Sequence, residues 1–74
     1  MTYRPGMKLR LRPGVDGDPY DRMLDGRVAT LQRIYVDYDD RVHLGLTVDD
    51  DPVQALMRDS GRYLYFFPPE VEAL

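Results

Sequence analysis

Histidine is the side chain that changes charge near neutral pH, and this chain of 74 residues has one, His43. A general base needs a partner that orients it within hydrogen-bond reach. Asp39 and Asp40 lie close in sequence, but their spacing does not demand such a pair. A nucleophile is also missing from the pattern. The chain has no cysteine, and its sole serine, Ser60, sits in no nucleophile motif and is explained by a helix end. His43 therefore reads as a surface or structural histidine. No catalytic residue is assigned, and the chain is expected not to be an enzyme.

Two acidic clusters, Asp37/Asp39/Asp40 and Asp49/Asp50/Asp51, invite a metal reading. A calcium loop of the EF-hand kind needs glycine at its sixth position and glutamate at its twelfth. Counted from Asp37, Asp49 and Asp16, the twelfth residue is Val48, Ser60 and Arg27. None fits. Helix capping and turn formation explain the aspartates without a metal, and no metal or cofactor is expected. Gly14-Val15-Asp16-Gly17 lacks the lysine and following helix of a phosphate-binding loop, so its glycines read as turn residues.

Two surfaces remain as binding candidates. Tyr35, Tyr38, Tyr63, Tyr65, Phe66 and Phe67 are many rings for so short a chain. One small core cannot take both faces of a strand that carries Tyr63 to Phe67. Tyrosine and arginine are favoured at interface hot spots. Tyr35, Tyr38, Asp39, Asp40, Arg41 and His43 are thus the candidate partner-binding surface, around a hairpin. The alternative is a basic patch, Lys8, Arg10 and Arg12, which would suit a small nucleic-acid-binding barrel. Those cations alternate with apolar residues, as on any charged edge strand.

The elements that must position these groups follow from periodicity. Met7, Leu9 and Leu11 alternate with Lys8, Arg10 and Arg12 in a half-buried strand. Val15 to Asp25 reads as a long loop, tacked down by Tyr20, Met23 and Leu24. Arg27 to Tyr38 is a long strand whose apolar residues shift from a spacing of three to a spacing of two, which a bulge near Thr30–Arg33 would reconcile. Tyr38 to Arg41 is its hairpin turn. Val42, Leu44, Leu46 and Val48 then face inward, and Arg41, His43, Gly45 and Thr47 outward. Asp51, Pro52 and Gln54 predict a helix with a capping box, with Val53, Leu56 and Met57 on its apolar face and Gly61 closing it. Arg62 to Phe67 is the fourth strand, Pro68-Pro69-Glu70 a turn, and Val71 to Leu74 the last strand. The predicted core is Val28, Leu31, Ile34, Leu44, Leu46, Leu64 and Phe66.

This order predicts an all-β fold: a small five-stranded SH3-like barrel spanning residues 1–74 as one domain, with one short helix between strands 3 and 4. An open antiparallel sheet capped by that helix is the alternative. A domain this small buries roughly 60% of its unfolded surface, so association with a partner or a second copy is a natural source of stability. The formal net charge is −3, and all 13 acidic residues follow the basic strand. Such a surface repels phosphate backbones. No apolar run approaches the roughly 18 residues of a membrane span, and the first residues lack a signal-peptide core; a cytoplasmic location and no membrane partner are expected.

The string from Gly26-Arg27-Val28 through Asp51-Pro52, with Gly61-Arg62-Tyr63-Leu64-Tyr65-Phe66-Phe67 and Pro69-Glu70-Val71-Glu72, resembles a group of small uncharacterised bacterial, notably actinobacterial, proteins encoded beside [NiFe]-hydrogenase genes. The resemblance implies an accessory protein that binds a hydrogenase subunit or maturation factor. It supplies no catalytic residues. At fold level, Lys8 to Arg12, Pro19-Tyr20 and Gly26-Arg27-Val28 are similar to the opening strands of the nitrile hydratase β-subunit barrel.

Overall fold

The computed structural model describes residues 3–14 and 19–74. The strands are β1 (Lys8–Leu11), β2 (Val28–Val36), β3 (Val42–Val48), β4 (Leu64–Phe66) and β5 (Val71–Ala73). The helices are α1 (Pro19–Met23) and α2 (Pro52–Asp59), and a 3-10 turn covers Pro68–Glu70. The five strands form one antiparallel sheet in the order β4-β3-β2-β1-β5. By its hydrogen bonds the sheet is open: β4 and β5 end it and have no ladder between them.

The alternating pattern of β1 and β3 sets the two faces. Leu9, Leu11, Ala29, Leu31, Leu44, Leu46, Val48 and Phe66 are buried on one side and form a single cluster with Leu24. Ile34, Val42, Leu64 and Val71 pack against it half-buried. The expected bulge is present. Leu31 pairs with Leu46 and Arg33 with Gly45, which leaves Gln32 as the extra residue. It returns Ile34 to the inner face opposite Leu44. Val28 does not join the core as predicted, because no bulge separates it from Leu31. Strand parity puts Ala29 and Leu31 inward and Val28 outward.

The expected loop before β2 is partly helical. Pro19–Met23 form α1, and the tacking is done by the buried Leu24, while Tyr20 and Met23 are exposed. Residues 15–18 of that loop, with the expected turn glycine Gly17, lie outside the described residues.

Helix α2 starts where predicted. The Asp51 carboxylate accepts the N–H groups of Val53 at 3.0 Å and Gln54 at 3.4 Å. Gly61, at φ 75°, closes it in the left-handed region, and Arg62 N–H returns to the Met57 carbonyl at 2.7 Å. Two expectations fail here. Gln54 is buried, and its amide donates to the Tyr20 hydroxyl at 3.5 Å rather than completing a capping box. Val53 and Leu56 are 63% and 69% exposed. The sheet's own side chains fill the apolar side. Ala55 and Arg58 border a cleft of about 600 Å³ together with the polar Thr30 and Thr47, and of the three apolar residues only Met57 is half-buried.

Candidate functional site

The outward side of β2, β3 and β4 carries aromatic residues in two cross-strand rows. In one, Arg33 pairs with Gly45, and Gly45 with Tyr65. Gly45 matters through what it lacks. A Cβ built there would stand 3.1 Å from the Tyr65 ring and 3.4 Å from the Arg33 Cβ. Glycine therefore lets the tyrosine lie down against the strand. In the second row, Tyr35 pairs with His43, and Phe67, just beyond β4, completes it. The His43 ring centroid is 5.4 Å from that of Tyr35 and 4.9 Å from that of Phe67, both tilted. Such geometries are favourable between rings beyond their burial alone.

Asp37 holds this arrangement in place. One carboxylate oxygen accepts the N–H groups of Asp39 and Arg41, both at 2.9 Å. The other stands 2.9 Å from His43 Nε2. The carboxyl is held below its ordinary range, first by the His43 hydrogen bond and then by the Arg41 N–H, against partial desolvation. One aspartate thus shapes the hairpin turn and fixes the central ring. The lone histidine does have an oriented acid, and it is Asp37 rather than Asp39 or Asp40.

Two shallow depressions flank the His43–Phe67 contact. The first, about 430 Å³, is lined by Arg33, Tyr35, His43 and Tyr65. The second, about 480 Å³, is bounded by Arg41, Val42, Phe67, Pro68, Pro69 and Glu70. Tyr35, Tyr65 and Phe67 are 45%, 46% and 39% exposed. Of the residues expected at the site, Tyr35 and His43 stand in this face and Arg41 borders it. Tyr38 is fully exposed on the turn, with Asp39 and Asp40 beside it. Arg33, Asp37, Tyr65 and Phe67 join the face without having been singled out for it. Strand parity carried the signal, since Arg33, Tyr35 and Asp37 alternate, as do Tyr63, Tyr65 and Phe67.

The basic strand looks different. Lys8 Nζ is 2.7 Å from both Asp49 and the Thr30 hydroxyl. Arg12 bonds Glu72 at 3.0 Å and lies 3.7 Å from Asp25. Arg10 stands opposite Glu72 in the β1–β5 register.

Among the described residues, no group of three or more His, Cys, Asp or Glu side chains is placed to hold a metal ion. Among them also, no helix is long and apolar enough to cross a membrane. No protein-family model, no curated protein and no solved structure matches the chain.

Proposed function

We propose that this chain is a non-catalytic accessory protein that binds a partner protein through the outer face of β2, β3 and β4. The observation that carries the reading is the cluster of half-exposed rings, Tyr35, Tyr65 and Phe67, ordered around His43 by Asp37. Rigid aromatic side chains provide large contact area at low entropic cost, which is why they dominate binding hot spots. The His43–Asp37 pair supports binding better than catalysis. Its acid is engaged by the turn's N–H groups, and the residues lining the adjacent depression offer no serine, threonine or cysteine. The resemblance to proteins encoded beside [NiFe]-hydrogenase genes makes a hydrogenase subunit or maturation factor the partner of this proposal.

The scaffold belongs to the same proposal as an SH3-like barrel. The strands at the two ends of the sheet, β4 and β5, are consecutive in sequence and joined only through Phe67 and a 3-10 turn. In a flat five-stranded sheet its ends would be about 19 Å apart. Five residues span at most about 18 Å fully extended, and a 3-10 turn rises only about 2 Å per residue. Strong curling of the sheet supports the barrel, as does a core in which one face packs against itself.

The alternative, nucleic-acid binding by Lys8, Arg10 and Arg12, has less support, because Lys8 and Arg12 already sit on Asp49 and Glu72. The test uses the protein that co-purifies from the native host. Tyr35→Ala, Tyr65→Ala and Phe67→Ala proteins, each shown to be folded, should include at least one that weakens the complex by about 2 kcal/mol or more. Wild-type affinity in all three would end this reading. Losses confined to the basic strand, with a steep fall in affinity as salt rises, would establish the nucleic-acid reading instead.

A further inference from the structure

Two acids beside the aromatic face, Asp37 and Glu70, are engaged within the chain. Asp37 accepts the Asp39 and Arg41 N–H groups and meets His43. Glu70 accepts the Phe67 N–H at 2.9 Å. Arg33 differs. It is exposed, it borders the depression between Tyr35, His43 and Tyr65, and it has no ion-pair partner among the described residues.

The second depression has another character. Val42, Phe67, Pro68 and Pro69 make an apolar wall, and its one cation, Arg41, shares that end with Glu70 and follows the exposed Asp39 and Asp40. The face therefore has a polarity. A cation stands beside rings at the Arg33 end. An apolar wall leads to an acid-rich turn at the other. On a chain of net charge −3, the Arg33 end is a local positive spot framed by aromatic rings.

We infer that this face takes an acidic–apolar peptide segment of its partner, with a carboxylate at Arg33 and an adjacent apolar side chain against Phe67 and Pro68. The inference rests on the docking reading above and gives it a chemistry. Guanidinium pairs with carboxylate in a forked geometry. The flanking rings limit the water that competes for that pair, which strengthens it relative to an exposed one. A basic segment is disfavoured at Arg33 by like charge. The Asp39–Asp40 tip disfavours a second carboxylate at the far end, so the segment lies in one direction.

The experiment pans a library of random 12-residue peptides on the full chain and on folded Arg33→Glu and Tyr65→Ala variants. Peptides enriched on the wild type should carry Asp or Glu within a few positions of Phe, Leu or Pro. Their affinity should fall about tenfold or more for Arg33→Glu, the scale of one well-placed charge pair. Replacing the peptide's acid with lysine should restore part of the binding to Arg33→Glu, which a merely damaged fold would not do. Enriched peptides that are basic, or that bind Arg33→Glu as well as wild type, overturn the inference. If such peptides still fail on Tyr65→Ala, the docking face stands and only its acidic occupant falls. If no enriched peptide depends on Tyr65, both fall.

Discussion

Lys8 and Arg12 on the β1 side of the outer face, and Arg33 and His43 on the β2–β3–β4 side, project from one sheet and meet their acids differently. Lys8 and Arg12 close onto Asp49 and Glu72, residues of other segments, and those contacts tie β1 to the rest of the fold. On the other side the acids turn to the backbone. Asp37 holds the turn and Glu70 holds Phe67, while Arg33 and the rings stay open. A count of cations along a strand therefore does not measure the charge available to a partner. Lys8 and Arg12 are taken up by the chain's own acids, and Arg33, among the described residues, is not.

Both halves rest on one apolar floor, and breaking it should have the largest effect. Leu44 is fully buried between Ile34 of β2 and Phe66 of β4. Leu44→Ala should cost roughly 2–5 kcal/mol by chemical denaturation, a large part of the stability of a small domain. A loss under about 1 kcal/mol would mean that the two halves do not share this floor.

The next effect separates the β1 side from the helix. Asp51→Ala should lose about 0.5–2 kcal/mol through the cap alone. The sequence assigns Asp49 no such weight, since it lies outside the cap. Its contacts with Lys8 and Thr30 change that, and Asp49→Ala should lose about 1 kcal/mol, allowing for exposure of the lysine. In a double-mutant cycle, the Asp49→Ala loss should shrink in a Lys8→Ala background and the Asp51→Ala loss should not. Full additivity of Asp49 with Lys8 would break the contrast drawn between the two halves.

These cases show what sequence made legible. Period-two alternation placed Leu44, Leu46 and Val48 inside, and the change of spacing near Leu31 located the bulge, because strand parity is a local property. Asp51 was legible because a cap bonds residues two and three positions away. Asp49–Lys8 and Gln54–Tyr20 join residues far apart in the chain, and no local pattern marks them. The exposure of Val53 and Leu56 was hidden for a related reason. An amphipathic pattern states that a helix has an apolar face, but not that the neighbouring sheet offers that face anything apolar. At the site, parity already aligned Arg33 with Tyr35 and Tyr65 with Phe67. The pairing of β3 with β4, which puts Tyr65 against Gly45, needed the fold.

Acid should act on both halves, and Asp37 makes its share measurable. Its carboxyl is held below the ordinary range, chiefly by His43 and then by the Arg41 N–H. A carboxyl whose folded value lies below its unfolded value stabilises the fold above about pH 4 and loses that contribution as pH falls. Wild-type Tm should therefore drop between about pH 5 and pH 2, and Asp37→Asn should show a shallower drop. Some acid dependence should remain in the variant. Burial pushes the Asp49 carboxyl up, but the hydrogen bonds from Lys8 and Thr30 and the lysine's charge outweigh it and hold the carboxyl low. Parallel profiles for variant and wild type would show that the Asp37–His43 contact adds nothing to the aromatic half.

The smallest effect tests whether the turn tip contributes shape or charge. Asp40 sits at φ 61°, in the left-handed region. Its N–H donates to the Asp37 carbonyl at 3.1 Å, and the Asp37 N–H donates to the Arg41 carbonyl at 3.1 Å. This is a tight turn whose last residue must adopt a conformation that costs an L-residue about 1 kcal/mol, somewhat less for aspartate. Glycine adopts it freely but gives the unfolded chain more freedom. Asp40→Gly should therefore stabilise the fold by at most a few tenths of a kcal/mol and leave the turn unchanged. Asp39→Ala, with no conformational demand to relieve, should be close to neutral, because the bond that matters there is from its N–H to Asp37. Thermal melting of the two variants distinguishes the cases. A loss of about 1 kcal/mol or more in Asp40→Gly would mean that the Asp40 carboxylate itself holds the turn. The tip would then be a built acidic feature, and its acids would count among the groups that position a bound segment.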